Sequence, residues 1–64
     1  MPIVEVKIFE GRTKEDRASV MRGITDVICE TLSVPRGDVR VIITELQREN
    51  FSVGGEPKPF RPND

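Results

Sequence analysis

The chain has no histidine, no tyrosine and no tryptophan, and its 64 residues include a single cysteine, Cys29. Each absence removes a class of chemistry. Without histidine the commonest general base is gone, and without tyrosine so is the phenolic acid. One cysteine excludes an intramolecular disulfide, and with no histidine beside it the usual nitrogen and sulfur ligands of structural zinc are missing as well. Charge of one sign is also lacking: ten Lys and Arg against eleven Asp and Glu leave a net charge of −1, with no electrostatic footprint for nucleic acid or an anionic membrane. No run approaches the roughly 18 apolar residues of a membrane span. Met1-Pro2 leads straight into an alternating segment and not into an apolar signal region, so the expectation is a soluble, cytoplasmic protein.

Hydrophobic residues make up 36% of the chain. A domain of this size hides only about 60% of the surface that its unfolded chain exposes, which puts it near the limit of independent stability. With disulfides and zinc set aside, self-association is the remaining way to bury more.

The pattern along the chain predicts one domain, residues 1–64, with no internal repeat. Ile3 to Phe9 sets Val4, Val6 and Ile8 on one face and Glu5 and Lys7 on the other, the period of a strand. Glu10-Gly11-Arg12 breaks that alternation. Thr13-Lys14-Glu15-Asp16 then resembles a capping box, with Thr13 as N-cap. From residue 14 to 33, Val20, Met21, Ile24, Val27, Ile28 and Leu32 fall at the three-and-four spacing of one helix face. Pro35 disfavours helical geometry at Val34, so the helix should close near Ser33, with Val34 to Asp38 as the loop. Val39 to Leu46 carries apolar residues on both faces and is expected to be the most buried strand.

Strand, helix and strand make one βαβ unit of the α/β class with parallel strands and a right-handed crossover. One helix covers only one face of a two-stranded ribbon, so the other is expected to be completed by oligomerisation. Gln47 to Gly55 reads as a loop into a short C-terminal hairpin. Residues 57–64, with Pro57, Pro59 and Pro62, form a proline-rich tail, expected to be extended.

Pro2 is the candidate base. Cells remove an initiator methionine that precedes a small residue, and the chain would then begin with a secondary amine, whereas an internal proline nitrogen is an amide without basicity. Peptide α-amino groups titrate at about 7.7–8.0. Burial and nearby cations would lower that value towards neutrality, where a general base works best. Arg12, after the first strand, and Arg40, opening the second, carry the guanidinium forks suited to bidentate carboxylate binding. The first strand puts Arg12 about 20 Å from Pro2 of the same chain, too far to serve it, whereas a neighbouring subunit can bring its own Arg12 alongside. A parallel second strand places Arg40 at the Pro2 end. Phe51 can wall such a site and keep its dielectric low.

These residues carry a resemblance. Met1-Pro2-Ile3, Glu10-Gly11-Arg12-Thr13, Val39-Arg40-Val41-Ile42-Ile43-Thr44-Glu45 and Asn50-Phe51-Ser52-Val53-Gly54-Gly55, in register from residue 1 to about 56, are similar to the short members of the tautomerase superfamily, the group of 4-oxalocrotonate tautomerase. The resemblance implies a homohexamer built as a trimer of dimers, and cofactor-free keto-enol isomerisation of a 2-hydroxymuconate-like dienol in aromatic hydrocarbon catabolism. It implies Pro2 as base, Arg12 of one neighbour on the distal carboxylate, and Arg40 of another on the 2-oxygen and nearer carboxylate. Phe51 would supply the apolar setting, and Phe9 and the backbone near Asp38 would line the pocket.

The tail departs from the family pattern. Val53 stands where the superfamily's dehalogenases and hydratases need a carboxylate to activate water, which argues against hydration. An alternative of another class is a noncatalytic oligomeric scaffold that binds a partner through Pro57 to Pro62. Cys29, at the edge of the helix face, is expected to be a small packed residue.

Overall fold

Alternation at the start of the chain becomes strand β1, Ile3–Phe9, in the computed structural model, which describes residues 1–57. Helix α1, Lys14–Leu32, follows, and then a 3-10 turn over Arg36–Asp38, strand β2, Arg40–Leu46, a second 3-10 turn over Arg48–Asn50, and the short strands β3, Ser52–Val53, and β4, Glu56–Pro57. β1 and β2 pair in parallel, from Ile3 beside Arg40 to Phe9 beside Leu46. β3 and β4 pair antiparallel across Gly54-Gly55. Both glycines adopt positive φ, 63° and 86°, as a two-residue hairpin turn that follows the strand twist requires. The βαβ unit with a terminal hairpin is therefore as the periodicity predicts.

The helix starts where Thr13, in extended geometry, accepts the Asp16 backbone N–H on its Oγ1 at 3.0 Å. Glu15 and Asp16 place negative charge at the positive end of the helix dipole. It stops where Ser33 takes a left-handed conformation, φ 56°, two residues before Pro35. Glycine is the usual residue there, because a Cβ in that conformation is crowded.

Three details differ from the sequence reading. β2 begins at Arg40, because Val39 closes the preceding turn with its N–H on the Arg36 carbonyl, 3.1 Å. β2 is also not deeply buried: along it exposed and half-buried residues alternate, apart from Ile43 and Thr44, which are both half-buried, and no described residue is fully buried. The cause is a single covering layer. α1 packs on the face that carries Val4, Val6, Ile8, Val41 and Ile43, while Ile3 and Ile42 on the other face remain 66% and 50% exposed. Finally, the half-buried stripe of α1 is rotated. Met21, Ile24 and Ile28 face the sheet together with Ala18, Thr25 and Cys29, and Val20, Val27 and Leu32 are exposed.

Val20, Gly23, Ile24, Val27 and Ile28 of α1 line an open apolar groove of about 390 Å³ with Val4 of β1. Among the described residues no helix is long and apolar enough to cross a membrane. Apart from Pro57, which pairs with Ser52, the proline-rich tail and the partner-binding motif read into it lie outside the described residues.

Candidate active site

The parallel ladder has two ends, and the six candidate residues divide between them. At the first, the Arg40 N–H donates to the Pro2 carbonyl at 2.9 Å, extending the ladder one step beyond Ile3. Pro2 is half-buried. The Arg40 side chain folds back so that Nη1 donates to the Gly37 carbonyl, tying it to the 3-10 turn that delivers β2. Asp38 closes that turn, with its N–H on the Pro35 carbonyl at 3.0 Å. Next to it, Arg36 holds Asp26 of α1 in an exposed ion pair, and the carboxylate raises the Arg36 pKa further above its ordinary value.

At the other end the Glu10 N–H donates to the Leu46 carbonyl, 2.9 Å, and Gly11 turns the chain at φ 119°, a conformation that a side chain would strain. Arg12 then emerges beside the first turn of α1, its Nη1 3.9 Å from Asp16 Oδ2. Arg12, Asp16, Arg17 and Ser19 line an open cavity of about 380 Å³ with Ile8, Phe9 and Val20. Phe51 meets Phe9 edge-on, with centroids 5.3 Å apart and rings perpendicular, the geometry that aromatic quadrupoles favour. Half-exposed cations and an apolar wall at this end suit an organic anion.

The structure therefore joins Pro2 with Arg40, and Phe9 with Arg12 and Phe51, and separates the two sets by the length of β1. Phe51 sits at the Arg12 end and not beside its own chain's Pro2. Two arginines went unnoticed in the sequence. Arg48 lies over the Phe9 ring, its Cζ 4.9 Å from the centroid, a cation–π contact, and both of its terminal nitrogens are shielded without a hydrogen-bond acceptor. Arg17 braces the turn at Arg12. The Arg48 contact leaves no local signal, since it joins segments set side by side only by folding, and the Arg17 contact, though it spans five residues, follows no spacing rule of the helix.

On the uncovered face, Glu5 accepts from the Thr44 hydroxyl at 2.7 Å and from Lys7 at 3.1 Å. The Thr44 hydrogen bond, with the Lys7 contact after it, holds its carboxyl below the usual range.

A parallel βαβ unit closed by a short antiparallel hairpin defines a small protein of the α/β class. More narrowly, the model of the tautomerase enzyme family matches residues 2–61, and the chain belongs to that family and is an isomerase. It is 40% identical over 57 residues to the 2-hydroxymuconate tautomerase of Pseudomonas sp. strain CF600, a match that covers 89% of this chain and 90% of the relative. Among solved structures, one from work on the 4-oxalocrotonate tautomerase isozymes of Methylibium petroleiphilum aligns with a TM-score of 0.83 at 39% identity, covering 88% of each chain. A heterohexamer 4-oxalocrotonate tautomerase from Chloroflexus aurantiacus aligns equally well, TM-score 0.83, at 30% identity over 89% of this chain and 92% of that one.

Proposed function

We propose that the chain is a cofactor-independent keto-enol tautomerase that converts a 2-hydroxy-dienoate resembling 2-hydroxymuconate into the conjugated 2-oxo acid. The Pro2 nitrogen takes the proton of the 2-hydroxyl and returns it to C5. The C2–O bond becomes a carbonyl, the double bonds shift along the chain, and no atoms are gained or lost. Arg40 stabilises the negative charge that grows on the 2-oxygen and holds the nearer carboxylate. Arg12 holds the distal carboxylate by its fork. Phe51 and Phe9 exclude water, and the backbone near Asp38 completes the wall.

The observation that supports this reading best is the hydrogen bond from the Arg40 N–H to the Pro2 carbonyl, which sets the start of β2 at the Pro2 end of the ladder. The base must be the amine freed by removal of Met1, since with Met1 attached the Pro2 nitrogen is an amide.

The working form in this proposal is a cytoplasmic homohexamer of single-domain chains, a trimer of dimers, in which subunits cover the exposed sheet face and bring Arg12 of one chain to Pro2 of another. The test is ketonisation of 2-hydroxymuconate by protein whose mass shows that methionine has been lost. Processed wild type should ketonise it far faster than Pro2→Ala, and equal rates would remove Pro2 from the mechanism.

A further inference from the structure

We propose that Arg17 is a positioning residue for Arg12: by gripping the Arg12 carbonyl and Glu45 of β2 together, it aims the Arg12 guanidinium at the substrate. The proposal rests on the tautomerase reading, in which Arg12 binds the distal carboxylate.

Arg17 is the fourth residue of α1, and its side chain reaches back past the helix start. Its Nη1 donates to the Arg12 carbonyl at 2.7 Å and lies 3.5 Å from Glu45 Oε2. The turn that presents Arg12 is thus tied twice to the end of β2, once through the Glu10 N–H on the Leu46 carbonyl and once through Arg17 on Glu45. It needs holding. Gly11, at φ 119°, has more backbone freedom than any other residue type, and Arg12 follows it directly. An arginine suits the task because its planar fork can donate to a carbonyl while facing a carboxylate, and a charged donor makes the stronger hydrogen bond.

The two ion pairs of this cavity differ accordingly. Arg12 and Asp16 are 3.9 Å apart, with side chains 43% and 54% exposed, a loose pair that an incoming carboxylate can replace. Arg17 and Glu45 are 3.5 Å apart and 29% and 40% exposed. The Arg17 Nη1 is engaged by two protein oxygens, so Arg17 serves as frame and Arg12 as ligand.

The experiment compares wild type, R17M, R17K, E45Q, R12A and the R12A/R17M double variant as processed, assembled protein. Two substrates are used: 2-hydroxymuconate, and 2-hydroxy-2,4-pentadienoate, which lacks the distal carboxylate. R17M should raise KM for 2-hydroxymuconate about tenfold with kcat nearly unchanged, the pattern of a loss of binding made equally in ground and transition states, about 1.4 kcal/mol. It should leave the pentadienoate kinetics alone, and R17K should recover most of the loss. R12A/R17M should behave as R12A does, because a residue that acts only through Arg12 has nothing left to position. A penalty equal on both substrates, or one that persists in the R12A background, overturns the proposal. E45Q keeps the shape of Glu45 and should show a weaker form of the same selective rise even if R17M fails to assemble; unchanged kinetics in E45Q would count against the brace.

Amide hydrogen exchange at Gly11 and Arg12 gives a readout that needs no turnover. Faster exchange in R17M and E45Q supports the brace, and unchanged exchange overturns it. Wild type that ketonises neither substrate would refute the tautomerase reading, and the exchange rates alone would then decide whether Arg17 holds the turn.

Discussion

Pro2→Ala and Arg12→Ala chains, each crippled alone, should regain activity when refolded together. β1 holds seven residues between the two positions, at about 3.3 Å each, so Pro2 and Arg12 of one chain are about 20 Å apart. A six-carbon dicarboxylate spans about 8 Å and an extended arginine side chain about 7 Å, from bonds near 1.5 Å. Some 5 Å stays unbridged within one chain, by the same bond lengths. In the proposed mechanism the site therefore takes its proline and its Arg12 from different chains.

In an equal mixture a site draws an intact proline half the time and an intact Arg12 half the time, so about one quarter of sites carry both when subunits assort at random. At subsaturating substrate each parent should fall to about a hundredth of wild type or less, one for want of the base and the other for want of the bidentate grip on the distal carboxylate. The mixture should thus rise well above either parent. The assay denatures the two variants together, refolds them, verifies mixed oligomers by native mass spectrometry, and follows loss of dienol absorbance. Mixed oligomers that show only the average of the two parents would refute the claim that the site spans subunits.

Three further outcomes are expected. Asp16→Asn removes the competitor of the distal carboxylate; exposed pairs of this kind contribute about 0.2–1 kcal/mol, so KM for 2-hydroxymuconate should drop by up to about fivefold while that for 2-hydroxy-2,4-pentadienoate stays put, as steady-state kinetics on both will show. Ser33→Gly relieves a left-handed serine and should stabilise the chain by about 0.5–1 kcal/mol, after the added flexibility of glycine offsets part of the gain, read as a higher thermal midpoint. Glu5 has a folded pKa below its unfolded value, near 4.3. Its contribution is therefore complete above that unfolded value and lost as pH falls through the folded one. Urea midpoints of wild type and Glu5→Gln should differ at neutral pH and converge as the pH falls through the lowered folded pKa, and a difference that persists once Glu5 is protonated would contradict the assignment.

Local physical chemistry made much of the fold legible in advance. Period two in Ile3 to Phe9, the Thr13 cap and the Pro35 stop each act over a few residues, and each appears where the sequence puts it. The helix stripe was legible only in part. Met21, Ile24 and Ile28 face the sheet, but Val20, Val27 and Leu32 do not, because the spacing of apolar residues marks a band wider than one two-stranded sheet can cover. The excess apolar surface lies along the groove with Val4.

The sequence by itself determined the identity and order of β1, α1, β2 and the hairpin, the exclusion of histidine and disulfide chemistry, and the residue types on which the candidate site draws. Tertiary structure alone decided which of those residues are neighbours. Arg40 stands beside Pro2 because a parallel register aligns the starts of two strands that are 37 residues apart in the chain. Phe51 stands beside Phe9, and Arg17 beside Glu45, because the same register brings the end of β2 to the turn that leaves β1. Periodicity reports which face a residue takes along its own element. Which residues of β1 and β2 meet depends on hydrogen bonds and a buried face shared by segments far apart in the chain. The pattern of one strand therefore limits the register to the slips that keep its apolar face covered but does not choose among them.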